Sequence, residues 1–148
     1  MSRSQRVVGT TEQALAHAEA ELGRALPASF RAWLLAHNST SLDAVEIFPV
    51  LDDRDPRKTW DSIVRQYGIW QSYCAEVFTE DERIAFQPLL PFAAFGTGDY
   101  YCFDYSHTGP SGEAVVVLWS HETGKTQPRG ASFAEFAARS EAGDFDDD

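Results

Sequence analysis

Two runs dominate the apolar pattern of this chain, residues 100–105 (YYCFDY) and 114–119 (AVVVLW). Each is apolar at successive positions, so each reads as a central strand covered on both faces, not as one alternating between core and water. A Gly/Pro/Ser segment joins them, and Gly96 and Gly98 offer positive-φ positions just before the first. Residues 95–122 therefore predict a β-hairpin at the centre of a sheet. Tyr101, Phe103, Val115, Val117, Leu118 and Trp119 are expected to be largely buried.

The N-terminal half is helical in pattern. Thr10 and Gln13 have capping-box spacing, Leu15, Ala18 and Leu22 mark one helix face, and Gly23 ends it. Leu26-Pro27 opens a second helix with Pro27 at its first position, a buried stripe of Phe30, Trp33, Leu34 and His37, and Asn38-Ser39 as its stop. His37 reads as a partner of the helix C-terminus, not as a ligand. Residues 44–50 read as a strand that Pro49 places at an edge or brings to a close. In the following LDDRDPRK, the acids Asp52, Asp53 and Asp55 are matched by Arg54, Arg57 and Lys58, which predicts a solvated, self-paired loop and lacks the spacing of an EF-hand.

Trp60, Ile63, Val64, Tyr67 and Trp70 recur at helical steps, predicting the longest helix over 59–77, with a bend at Gly68 and both tryptophans on the core face. Thr79 and Glu82 repeat the capping-box spacing, with Glu80, Asp81 and Glu82 in the first turn of a short helix ending near Phe86. After the hairpin, residues 122–125 reverse the chain into a short strand near 126–130, and Ser132 with Glu135 starts a closing helix whose inner face is Phe133, Phe136 and Ala137. The pattern is that of a single α+β domain over residues 1–143, with a sheet of about five to six strands and an acidic tail at 144–148.

A chain of 148 residues, 43% hydrophobic and 13% aromatic, can build such a core without disulfides or metal. The net charge of −11 changes the picture more: Asp144, Asp146, Asp147 and Asp148 carry four of those charges, and the body keeps −7. That charge repels nucleic acid and anionic membranes and draws in a basic partner. Cys74 and Cys102 sit in no C-x-x-C or zinc spacing and read as buried thiols. With no secretory h-region and no apolar run of about 18 residues, a cytoplasmic location is expected.

Asp99, Asp104, His107, His121 and Glu122 are the polar groups dense enough to invite a catalytic reading. Their spacing argues against it. His121-Glu122 lacks the second His of a zinc-protease helix, and Asp99 and Asp104, five residues apart on one strand, face opposite ways. Asp99 is expected to cap the Gly96–Gly98 turn and Asp104 to end the strand. No nucleophile elbow or P-loop is present, and Gly96-Thr97-Gly98 precedes a strand, not the helix a phosphate would need. No enzyme activity, cofactor or metal is expected.

Several segments in order carry a family resemblance: residues 21–30 (ELGRALPASF) with Trp33-Leu34-Leu35, then 90–93 (LPFA), 96–104 (GTGDYYCFD), 115–122 (VVVLWSHE) and 132–136 (SFAEF). Together they resemble the SUKH superfamily, the immunity-protein group that also includes the fungal Smi/Knr regulators of cell-wall assembly. Asn38 departs from it, standing where many members have glycine, and residues 43–86 match little. The resemblance implies helices packed on an antiparallel or mixed sheet, no catalysis, and, for the immunity type, binding and neutralisation of a cognate toxin, commonly a nuclease. It further implies that Asp99 and Trp119 are scaffold. The divergent middle then supplies the candidate partner contacts, Glu46, Asp52, Asp53, Asp55, Glu76, Glu80 and Asp81, facing a basic toxin domain. The alternative is a Smi/Knr-type regulatory interaction module without a toxin.

Overall fold

The structure is a computed structural model, and it describes residues 8–38, 41–42, 45–96 and 98–143. The expected acidic tail, Ser39, Ala44 and Thr97 lie outside the described residues. One wholly antiparallel sheet runs in sequence order through β1 (Glu46–Ile47), β2 (Leu89–Phe95), β3 (Asp99–Thr108), β4 (Ala114–Trp119) and β5 (Thr126–Gly130). Around it stand α1 (Glu12–Leu22), α2 (Ala28–His37), a single turn α3 (Pro56–Thr59), α4 (Ile63–Val77), α5 (Glu80–Ile84) and α6 (Phe133–Glu141).

The β3–β4 hairpin sits inside this sheet, with Cys102 opposite Val117 and Phe103 opposite Val116. Successive side chains of a strand point to opposite faces, so one continuous apolar run feeds two cores. Tyr101, Phe103 and Val116 join Leu15, Phe30, Leu34, Phe92, Phe133 and Phe136. Cys102, Val117 and Trp119 join Trp70, Cys74, Phe78 and Phe86 from the α4–α5 side. Tyr101, Phe103, Val117 and Trp119 are buried as expected. Val115 and Leu118 are only half-buried, because they stand on β4 beside the edge strand β5, where the helices cover less of the sheet.

Helix boundaries follow side-chain chemistry more locally than the sequence spacing predicts. Thr11, not Thr10, caps α1 by accepting from Ala14 N at 3.1 Å, and Gly23 closes it at φ 75°. Pro27 is the N-cap of α2, one position earlier than expected, and has no side chain to offer the helix amides. Glu113, from the β3–β4 loop, takes over: its carboxylate accepts from Ser29 N at 3.2 Å and Ser29 Oγ at 2.7 Å. His37 is exposed, its ring 5.4 Å from that of the half-buried Trp33, so it leaves the expected stripe. The long helix starts at Ile63, where Ser62 accepts from Arg65 N, and runs unbroken through Gly68. Trp60 therefore precedes it and is 57% exposed, against the expectation of a core position. The capping boxes resolve as predicted at Thr79–Glu82, where both reciprocal bonds form, and at Ser132, which accepts from Glu135 N.

The expected strand at 44–50 shortens to β1, paired with Ala93 and Ala94 at the sheet edge. Beyond it the chain is held by Asn38, buried, whose amide donates to Val50 O at 3.0 Å and accepts from Val50 N at 2.9 Å. This side chain imitates a strand partner, which a glycine at that position cannot do.

Candidate protein-binding surface

The seven acids proposed for a partner divide into three groups. Asp52 is not on the surface at all. It is buried, accepting from Thr10 Oγ1 at 2.9 Å and from Arg54 Nη2 at 2.7 Å, while its own N–H donates to Thr59 Oγ1. The Arg54 guanidinium holds its carboxyl down to about 2, against the opposing cost of burial. Asp52 ties the loop before α3 to the start of α1, so its assignment as a partner contact is corrected to a structural one. Around it, Asp53 is exposed and Asp55 half-buried, and Glu46 lies in a small cleft with Lys58 and Asp61.

Glu76, Glu80 and Asp81 form the third group. All three are exposed, Glu76 near the end of α4 and the other two in the first turn of α5. Glu80 and Asp81 line a groove of about 700 Å³ between α4 and α5, whose wall includes Tyr67, Trp70, Ile84 and Phe86. Val77 and Ile84 beside them are 53% and 58% exposed. Pattern reading missed both, because they sit at helix ends where periodicity no longer tells face from face. A usable signal was charge balance: between residues 76 and 83 four acids stand against Arg83 alone, whereas the acids of 52–55 have basic neighbours.

A second exposed feature lies at the start of α4. Arg65 stacks over the Trp60 ring at 4.6 Å and pairs with Asp61 at 2.6 Å, holding the indole in place on the surface.

Trp119 is fully buried, and the contacts of Asp99 are with His121. Asp99 accepts from His121 N at 3.0 Å and lies 2.6 Å from His121 Nδ1, while Tyr73 donates to His121 O. It thus fastens the β4–β5 turn to the start of β3; the expected cap of the Gly96–Gly98 turn involves Thr97, which lies outside the described residues. Asp104 does not end β3, since the strand continues to Thr108. It accepts locally from Ser106 and marks the irregular register there. Among the described residues no three His, Cys, Asp or Glu side chains are grouped to hold a metal ion. Burial pushes the Cys74 thiol up to about 11 and the Cys102 thiol well above its ordinary value, so both stay protonated at neutral pH.

A model of the SMI1 / KNR4 family (SUKH-1) matches residues 9–139, from the segment before α1 into α6 and across all five strands. The chain belongs to the SUKH-1 family. A search of curated proteins returns no match. Within this SUKH-1 domain, the segments that carry the sequence resemblance lie on α1, α2, β2–β4 and α6, which supply much of the first core and the sheet side of the second. Residues 45–86, within the matched range, carry Trp60, the α4 outer face and the α4–α5 corner.

The sheet edges of the SUKH-1 domain are poor templates for an added strand. β1 has only two residues, and β5 carries Pro128, which has no N–H, beside a register shift, with Arg139 donating to Arg129 O. No helix among the described residues is long and apolar enough to cross a membrane.

Proposed function

We propose that this SUKH-1 domain is a non-catalytic immunity protein that binds and neutralises a basic toxin domain of nuclease type, working in the cytoplasm where such a toxin acts. Family membership supports the class, and one structural observation supports the mode. Glu76, Glu80 and Asp81 are exposed and enter no ion pair or side-chain hydrogen bond among the described residues, next to uncovered Val77 and Ile84. Unneutralised charge beside apolar area is the composition of an interface that steers a charged partner and then anchors it. Direct nucleic-acid binding is opposed by the same charge.

The family description names SMI1 / KNR4 beside SUKH-1, so a Smi/Knr-type interaction module without a toxin is the second reading. The test is co-expression with the toxin encoded beside its gene. Restored growth and an association rate that falls with salt support the first reading. No toxin neighbour, or a toxin whose lethality is unaffected, favours the second.

A further inference from the structure

We infer that the outer face of α4 binds a second copy of this chain, the two helices running antiparallel about a two-fold axis. Helical geometry, at 3.6 residues per turn, puts Arg65, Ile69, Ser72 and Glu76 in one stripe and Ile63, Trp70 and Cys74 on the opposite side. The second set is buried and the first is exposed, Ile69 by 42%. Trp60 extends the stripe, because Arg65 lies 4.6 Å over its ring while the indole stays exposed. Trp and Arg are the residue types that most often carry the energy of an interface, and here they hold each other in place before any partner arrives.

The stripe is complementary to itself. A two-fold axis passing between Trp70 and Gln71 sets Arg65 against Glu76 of the second copy and Ile69 against its Ser72, and both contacts recur on the other side of the axis. Each ion pair thus forms twice, and each Ile69 faces a side chain small enough to let the helices approach. A parallel arrangement would instead set Arg65 on Arg65 and Glu76 on Glu76, which like-charge repulsion disfavours. Glu76 enters no ion pair or side-chain hydrogen bond among the described residues, so it is open to this contact. Arg65 is open as well: its Nη1 donates to Asp61 at 2.6 Å, but a guanidinium has five N–H donors and this side chain is 44% exposed. Asp61 itself is taken up by Arg65 and by Gln66 Nε2 at 2.8 Å. Trp60 of each copy then lies toward the end of the other α4, where Val77 is uncovered. Stable interfaces bury roughly 800 Å² per partner, and one helix face about 22 Å long covers less, so the association is weak. The net charge of −11 on each copy opposes it further, which leaves the two mirrored ion pairs to set the arrangement.

Sedimentation velocity of the full chain from about 10 µM to about 1 mM should show a sedimentation coefficient that rises with concentration. Arg65→Glu alone and Glu76→Arg alone each place like charges at both contacts and should weaken self-association at least about tenfold. Mixed in equal amounts, the two variants regain opposite charges at both contacts and should associate again, and the double variant should self-associate. Ile69→Asp should abolish association, and unchanged far-ultraviolet circular dichroism checks that these exposed positions leave the fold intact. A wild type that stays monomeric throughout, association that survives Ile69→Asp or either single reversal, or a mixture that stays apart would overturn the inference. Glu76 and Val77 also border the surface proposed for the toxin, so a bound toxin and a second copy exclude each other. The sedimentation readouts need no toxin, and they stand or fall apart from the immunity reading.

Discussion

Replacing Trp119 by alanine should cost about 4 kcal/mol of stability. The side chain is fully buried at the end of β4, and five rings surround it: Trp70 at 5.6 Å, Tyr73 at 6.3 Å, Phe78 at 5.8 Å, Phe86 at 5.5 Å and Tyr100 at 6.2 Å. Those rings come from α4, the α4–α5 junction, the turn after α5 and β3, each fixed by its own packing, so the vacated space cannot close. A buried Trp→Ala change costs about 3–5 kcal/mol, and edge-to-face pairs add about 0.5–1.5 kcal/mol beyond the area they bury. One effect opposes this. The Trp119 Nε1 is buried without a hydrogen-bond partner, and such a group costs about 1–3 kcal/mol that deletion removes. Trp119→Phe separates the two effects, keeping a ring in the cluster while deleting the unpaired donor, and should cost less than half as much as Trp119→Ala. Urea unfolding followed by far-ultraviolet circular dichroism is the assay, because fluorescence loses a reporter in both variants. The alanine change should lower the thermal midpoint by about 8–16 °C, taking about 2–4 °C per kcal/mol at this size. A loss below about 1.5 kcal/mol, or a phenylalanine variant as damaged as the alanine one, would refute the picture of a rigid aromatic cluster.

The Asp52 carboxylate is held at about 2 by Arg54, below the ordinary 3.8, so its contribution is complete above 3.8 and is lost as pH falls through about 2. Allowing for the half-exposed Arg54, it amounts to about 1–2 kcal/mol at neutral pH. The stability gap between wild type and Asp52→Asn should shrink as pH falls across that window, and a gap independent of pH in urea titrations would show that the charge contributes nothing. Glu113→Ala should cost about 1–2 kcal/mol, because it strips α2 of its substitute cap. Faster amide exchange at residues 28–31 should accompany it, and unchanged exchange there would rule out the capping role.

Much of the fold was legible because its signals are local. Thr79 and Glu82 are three residues apart, and their reciprocal bonds need nothing but each other. The two mainly apolar runs announced strands covered on both faces, and the antiparallel hairpin between them followed from a glycine-containing loop too short for a crossover. The candidate site was half legible. The excess of acids at 76–83 is visible in the chain, but the burial of Asp52 is not, since it depends on Thr10, which lies 42 positions away. Trp60 misled for a related reason: helical spacing extends backward from Ile63 without showing that Ser62 starts the helix and leaves the indole outside it.

What the sequence by itself determined, then, is everything set by neighbours within a few residues: strand and helix identities, two of the caps, the double-faced hairpin and the surplus of negative charge. What only the tertiary structure decided is where remote groups meet. Pro27 leaves α2 uncapped until Glu113 arrives from across the sheet. Asn38 completes β1's continuation at Val50, and Asp99 reaches His121, 22 positions away. A polar side chain satisfies its hydrogen bonds wherever packing brings a partner within about 3 Å, and the apolar cores, not the polar spacing, choose which segments come that close.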